Sequence, residues 1–477
     1  MADRGVPEAK ALHVPAAYGE PPEGWSWSRL DDVSEGVFDC PHSTPKLTES
    51  GPYVVRTQDI ITGVFRSDRA GHVSEETYVE RIARVTPSHG DLLYSREGTY
   101  FGIAAEVPAT TRVCLGQRMV LIRPDKCRLD FSFLRYWLNS PIMAAHIHGY
   151  RDGSVAERLN LPTIRALPIL LPPLAEQKRI AEVLGALDDK IELNRRMNAT
   201  LEATARALFQ SWFIDFDPVR RNMDRNQPST RPAGHPSPSG RREGDEGLFE
   251  LDAATAAFFP DSFEESPLGH IPKGWTAKRL PEAVEVNPRR ILKAGTVAPY
   301  LDMKNLPTQG HSAEEVVERE FSSGTKFQKG DTLLARITPC LENGKTGYVD
   351  FLQDGQIGWG STEYIVFSPK PPLPPQFGYL LARSDALRSH AIQNMTGTSG
   401  RQRVPSECFN TFWLVVPPPA IAERFDELTA PLMAKIKSNA DQSRTLATLR
   451  DTLLPKLLSG ELSVVGNERL VESANNL

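Results

Sequence analysis

The chain has 477 residues, 40% of them hydrophobic and 24% charged, with 55 Lys and Arg against 60 Asp and Glu for a net charge of -5. That length exceeds one ordinary domain and that composition suits packed cores, so a disordered or fibrous chain is excluded, as is a protein that coats nucleic acid with uniform basic charge. No run of about 18 apolar residues could span a membrane, MADRGVPEAK lacks the layout of a secretory signal, and five cysteines without a CxxC pair fit a reducing compartment, so a cytoplasmic protein is expected.

From the N-terminus, PPEGWSWSRL at 21–30 opens a first body expected over 22–172. Its apolar runs at 53–55 and 119–122 read as strands and 131–137 reads as helix, which predicts mixed α/β (α+β) structure. The motif GDLLYSR stands at 90–96. After Pro172 and Pro173, Ile180, Leu184, Leu187, Ile191, Asn194, Asn198, Leu201, Ala205, Leu208 and Trp212 alternate spacings of four and three, the heptad pattern of a helical seam over 173–216. Gly185 predicts a break in that helix and Asp217-Pro218 its end. Residues 217–270 contain NQPSTRPAGHPSPSGRREGDEG, the composition of a solvated linker or of a tether for a DNA backbone, with a short helix expected near 252–258.

The remainder repeats what came before. IPKGWTAKRL at 271–280 opens a second body expected over 271–417, GDTLLAR at 330–336 echoes the first motif, and runs at 364–367 and 376–388 read as strand and helix. From Ser154 and Ser399 onward the copies align without a gap for about sixty positions, pairing Arg158 with Arg403, Asn194 with Asn439 and Leu201 with Leu446. Phe425, Leu432, Ile436, Asn439, Leu446, Leu453 and Leu457 repeat the heptad over 418–462, with a break expected at Pro431, a stop near Pro455 and Gly460, and a tail over 463–477. Two matched helices most economically pack on each other, with Asn194 and Asn439 setting their register.

The stretch at 167–216, LPILLPPLAEQKRIAEVLGALDDKIELNRRMNATLEATARALFQSWFIDF, resembles the central conserved region of the specificity subunit of type I restriction-modification enzymes. FPDSFEESPLGHIPKGW at 259–275 is similar to that family's entry into its second target recognition domain, and LRDTLLPKLLSGEL at 449–462 resembles its distal conserved region. The resemblance covers nearly the whole chain. It implies two target recognition domains, separated by two long helices packed as an antiparallel coiled coil with a pseudo-two-fold internal repeat, that read the halves of a bipartite site in double-stranded DNA. It also implies docking of two modification subunits and recruitment of restriction subunits. S-adenosylmethionine would belong to the former, ATP and magnesium to the latter, and no cofactor or metal to this chain.

Base edges are read by Arg on guanine and by Asn or Gln on adenine, and phosphates by Arg, Lys and Ser. In the second body TGTSGRQRV at 396–404 is the leading candidate, with Ser399, Arg401, Gln402 and Arg403; its register partner RDGSVAER at 151–158 brings Ser154 and Arg158. The loops that follow the GD motifs, SREGTY and RITPCLENGKTG, add Arg96, Arg336, Asn343 and Lys345, and YVVRTQDI adds Arg56. Gly-rich turns with ordinary surface arginines, plain β-turns and a core-edge arginine are the respective alternatives.

The machinery of an enzyme is missing from the sequence. GKT at 344–346 would need a glycine where Pro339 stands to be a phosphate-binding loop. There is no GxGxxG after a strand and no Asn-Pro-Pro or Asp-Pro-Pro run of the kind amino-methyltransferases use, and His146 and His148 lack companions for a metal. A chain without catalysis of its own is therefore expected; the alternatives are a stand-alone DNA methyltransferase or nuclease with unrecognised motifs, and a helical scaffold that recognises no DNA.

Overall fold

In both halves the Pro-x-Gly-Trp sequence closes a tight turn, Trp25 N donating to Pro22 O and Trp275 N to Pro272 O, each at 3.0 Å. Gly24 and Gly274 supply its positive φ of 81° and 80°, a conformation that costs little without a Cβ. The computed structural model describes residues 14, 19–61, 63–98, 100–148, 158–226, 251–398 and 400–464. They fall into two units, Met1–Glu192 with Ser443–Leu477, and Leu193–Gln442.

In the first unit the turn leads into strand Ser26–Arg29, antiparallel to Pro168–Leu171; in the second, Thr276–Arg279 pairs in the same way with Trp413–Val416. Each unit then builds a four-stranded antiparallel sheet. The first has the order Ser34–Asp39, Met119–Pro124, Leu92–Ser95, Ala104–Glu106, and the second Val284–Val286, Tyr364–Pro369, Thr332–Ala335, Thr346–Tyr348. A mixed sheet accompanies each, three-stranded in the first unit with Thr48–Val55 parallel to Val113–Leu115, and four-stranded in the second with Val297–Leu301 parallel to Ile357–Gly360.

Alternate residues of the central strands serve different cores, because successive side chains leave a strand on opposite faces. Leu92, Tyr94, Val120 and Ile122 join Trp137 and the long-helix residues Ile180, Leu184, Leu454 and Leu458, whereas Leu93, Met119 and Leu121 join Val55 and Ile60. The second unit divides Leu334, Ile365 and Phe367 from Leu333, Ala335 and Val366 in the same manner. Burial on both faces explains why these strands read as unbroken apolar runs.

Asp130 caps helix Phe131–Leu138 by accepting from Phe133 N at 2.9 Å. The helix expected over 376–388 is two helices, Pro375–Ala382 and Asp385–Gln393, because Ser384 accepts from Leu387 N at 3.3 Å and caps the second.

The long helices run Leu174–Phe209 and Pro419–Ser459, and the breaks expected at Gly185 and Pro431 do not occur. A mid-helix glycine costs about 1 kcal/mol, whereas burying a leucine such as Leu184 or Leu187 contributes roughly 1.5–3 kcal/mol. Pro431 and Glu427 are both exposed, so the carbonyl that loses its N–H partner faces water rather than the core. The second helix stops at Gly460, whose φ of 76° forms a left-handed cap. Asp217-Pro218, expected as the first helix's stop, instead opens a new one. A π turn, Gln210–Ile214, and Phe216 at φ 55° end the first helix, and Asp217–Asn226 begins with the proline in its first turn, where no N–H partner is lost.

The stretch read as linker thus starts as helix. It ends with helix Ala253–Ala256, capped by Asp252, and the hairpin Phe263–Ser266 with Gly269–Pro272. Asn222 ties the two helices together by donating to Ala256 O and Phe259 O at 2.9 Å. Residues 227–250 and the tail beyond 464 lie outside the described residues.

The predicted seam is buried or half-buried throughout. In the first unit Ile180 and Leu184 share a core with Leu454 and Leu458; in the second, Ala205, Leu208 and Trp212 share one with Phe425, Met433 and Ile436. Early residues of one helix meet late residues of the other, so the pair is antiparallel. Asn194 Nδ2 donates to Asn439 O at 3.3 Å and Gln442 Oε1 at 2.8 Å, while Asn439 Nδ2 donates to Asn198 Oδ1 at 2.9 Å. A one-turn slip would strand these amides in an apolar seam, so they fix its register.

Candidate nucleic-acid interface

The GD motif is structural. Gly90 and Gly330 turn the chain at φ 96° and 88°, and the aspartate that follows is sealed inside. Asp91 accepts from Ser88 N at 2.9 Å and pairs with Arg123 at 2.7 Å; Asp331 accepts from Gln328 N at 2.8 Å and pairs with Arg290 at 2.6 Å. Burial pushes the Asp331 carboxyl up, against the pull of the Gln328 amide and Arg290. With its start clamped, each strand delivers an arginine at its far end.

There the structure gathers three segments far apart in sequence. Arg96 N donates to Arg118 O at 2.9 Å and Leu159 N to Arg96 O at 2.8 Å; Arg336 N donates to Glu363 O at 3.0 Å and Val404 N to Arg336 O at 2.8 Å. Single β-bridges join Glu97 to Arg158 and Ile337 to Arg403. In each unit the end of the GD strand therefore meets the start of the ungapped block and the tip of the turn before Met119–Pro124 or Tyr364–Pro369.

The expected contact residues divide into held and displayed ones. Arg56 grips the fully buried Asp59 with Nε at 3.1 Å and Nη2 at 3.2 Å, and also donates to Arg69 O. Arg96 donates to Asp39 at 2.9 Å, and Lys345 donates to Met303 O at 2.7 Å and Lys304 O at 2.9 Å, closing the turn Met303–Asn305. Arg336 is half-buried, with Nε enclosed and no hydrogen-bond partner among the described residues. Gln402 is fastened by its backbone, its N donating to Thr338 Oγ1 and its O accepting from Thr338 N, both at 3.0 Å. Arg403 chelates Glu363, Nε reaching both carboxylate oxygens at 2.9 and 3.0 Å, and that carboxylate holds the guanidinium more firmly in its charged form. Arg158, Asn343 and Arg401 are exposed. Ser154 and Ser399 lie outside the described residues.

Sequence reasoning missed two arginines. Arg383 donates to four carbonyls, Thr308 O at 2.7 Å, Gly344 O at 2.8 Å, Gly310 O at 2.5 Å and Thr346 O at 2.9 Å, while Nε donates to the Tyr379 hydroxyl at 3.1 Å. It therefore shapes the loop that displays Asn343, and nothing in its surroundings in the sequence marks it. Arg118 occupies the turn tip beside Arg96 at φ 68°; its signal was the strand motif at 119–122, whose preceding turn must carry some side chain to this edge.

Asp39, Cys40 and His42 bring potential metal-ligating atoms within 4.8 Å, the one such group among the described residues. Asp39 is already occupied by Arg96 and by Cys40 N at 3.0 Å, and burial pushes the Cys40 thiol up, away from the thiolate a metal would need. No described helix is long and apolar enough to cross a membrane.

Comparison with known proteins places these features in context. Residues 22–203 match the family described as type I restriction modification DNA specificity domain. The chain is 24% identical over 472 residues to the type I restriction enzyme MjaIX specificity subunit of Methanocaldococcus jannaschii, covering 94% of this chain and 95% of that one. It is 22% identical to the HindI specificity subunit of Haemophilus influenzae, over 92% of this chain and 99% of that one. A crystal structure of the type I restriction-modification S subunit from M. genitalium aligns over 91% of this chain and 96% of that one, with a TM-score of 0.51 at 14% identity. These likenesses agree with the resemblance carried by the duplicated motifs.

Proposed function

From a chain that resembles the type I restriction enzyme specificity subunits along nearly its whole length, and whose residues 22–203 carry their DNA specificity domain, we propose that this protein is the DNA-recognition subunit of a type I restriction-modification complex. Each unit reads one half of a bipartite sequence in double-stranded DNA, and the two long helices, to which both units contribute, serve as the spacer. The observation that carries the reading is the duplicated strand end. Two diverged copies keep the same backbone links, Leu159 N to Arg96 O and Val404 N to Arg336 O, while the side chains around them differ. Conserving a frame while varying its surface suits two readers of different half-sites.

The chain is non-catalytic in this reading. Two modification subunits that hold S-adenosylmethionine dock on it, restriction subunits bring ATP and magnesium, and the complex works in the cytoplasm. Arg158, Arg401 and Asn343 are the contact residues best placed to reach DNA; Arg56, Arg96, Lys345 and Arg403 are held by partners within the protein.

Mapping methylated adenines in the host genome by long-read sequencing, with and without this gene, tests the proposal. A motif with a gap should vanish on deletion and should change in one half only when residues 22–172 are exchanged for a relative's. An ungapped motif counts against two readers, and methylation or cleavage by the purified chain alone would favour the stand-alone enzyme.

A further inference from the structure

We propose that Arg118 is a specificity-determining DNA contact of the first unit, at a position where the second unit carries Glu363; the inference rests on the function proposed above. The equivalence of the two positions comes from the backbone. Arg118 O accepts from Arg96 N as Glu363 O accepts from Arg336 N, and the paired strands continue in step, Ser95 facing Met119 and Ala335 facing Tyr364.

The frame is shared, but the charges on it are rearranged. In the second unit Glu363 chelates Arg403, and the residue bridged to Arg403 is the neutral Ile337. In the first unit the carboxylate has moved across the bridge to Glu97, and Arg118 takes the turn tip, with Nε 3.3 Å from Glu97. Arg158, the counterpart of Arg403, is exposed and has no carboxylate partner among the described residues. Among the described residues, the three equivalent positions thus carry Arg118, Glu97 and Arg158 in the first unit and Glu363, Ile337 and Arg403 in the second, two guanidiniums with one carboxylate against one with one. Local clustering of this kind is what a chain with net charge -5 needs in order to meet a phosphate backbone.

The backbone of Arg118 points the same way. Its φ of 68° is one that a long side chain adopts only against steric resistance, whereas Glu363 is not among the residues with positive φ. Glycine would relieve that strain, and among the described residues the fold offers arginine little in return. Its side chain is 55% exposed and its one ion pair among the described residues is with Glu97, a pair of a kind that contributes little to stability. Gly98 lies beside it, at φ 94°, where an added Cβ would stand 3.9 Å from Arg118 Nη1, so no side chain at that position crowds the guanidinium. Strain kept at an exposed edge beside a glycine points to a binding residue, and a guanidinium there suits the O6 and N7 acceptors of guanine.

The experiment uses the full chain assembled with its modification subunits, its mapped DNA target, and targets scrambled in one half-site. Arg118→Gly removes the side chain and suits the backbone, so thermal unfolding should be unchanged or improved while binding to the intact target weakens on the order of ten-fold. The methylation motif should relax at one position of one half-site and stay as it is in the other. Arg118→Lys keeps the charge without the fork, and should recover affinity but not discrimination. The proposal is overturned if Arg118→Gly leaves affinity and motif unchanged, or if Arg118→Lys recovers both, which would make the contact one to phosphate. A wild-type complex that selects no bipartite target would overturn the functional reading itself, and this inference with it.

Discussion

The two units place a carboxylate just before the same strand, Leu92–Ser95 in one and Thr332–Ala335 in the other, and find its cation in different places. Asp91 is met by Arg123, which belongs to the neighbouring strand Met119–Pro124, whereas Asp331 is met by Arg290, from the segment after Val284–Val286. The buried acid and the turn it holds survived divergence while the partner did not. What is retained between the copies is therefore an electrostatic requirement rather than a pair of residues: a carboxylate sealed from water must be compensated, from whichever element can reach it. The strand ends obey the opposite rule. There the backbone links are kept and the charges are free to change, because solvent screens them.

Removing the acid tests the first rule most severely. Asp331→Ala leaves Arg290, only 10% exposed, without its partner, and should cost about 3–5 kcal/mol. Asp91→Ala should cost less, since Arg123 is 26% exposed and can turn to water. Hydrogen exchange resolved by segment checks both: protection should fall in Thr332–Ala335 for one variant and in Leu92–Ser95 for the other, each sparing the opposite unit. Equal losses in both units would break the comparison.

The helix pair sharpens it at lower energy. Its second-unit portion is pinned by buried amides, its first-unit portion by apolar contacts and by Asp188, which accepts from Arg450 at 2.7 Å and from Tyr136 at 2.7 Å. Asn439→Ala strips the partner from Asn198 Oδ1 and should cost about 1–3 kcal/mol in chemical denaturation. Arg450→Ala should cost no more than about 1 kcal/mol, because the pair is partly exposed and Asp188 keeps Tyr136.

The seam was legible in the sequence because a heptad is a local pattern and its asparagines announce themselves. The central strands were legible because burial on both faces leaves runs such as 119–122 without polar residues. Continuity of the helices through Gly185 and Pro431 was not legible: propensity describes a residue alone, and the packing of Leu184 and the exposure of Pro431 are properties of the folded chain. At the interface, the motifs located the right strand ends but could not separate held arginines from displayed ones. Arg56 and Arg158 look alike in sequence; only the fold shows that one is spent on a buried aspartate. Arg118 escaped because the two copies differ there in charge, and a search for similarity passes over the positions where two readers must differ.

Gly185 offers the smallest effect and the cleanest sign. The ungapped alignment pairs it with Ala430 of the second helix, so one copy already carries the better helix former at this point. A Cβ built on Gly185 meets nothing within 4 Å, so Gly185→Ala adds no clash and removes only the entropy that glycine loses on entering a helix. The substitution should stabilise the first unit by about 0.5–1 kcal/mol, seen as a higher denaturation midpoint with slower exchange around Leu184. A loss of stability instead would mean that the flexibility of this turn is used, and that the two long helices, so alike in pattern, are under different demands where they leave their own domains.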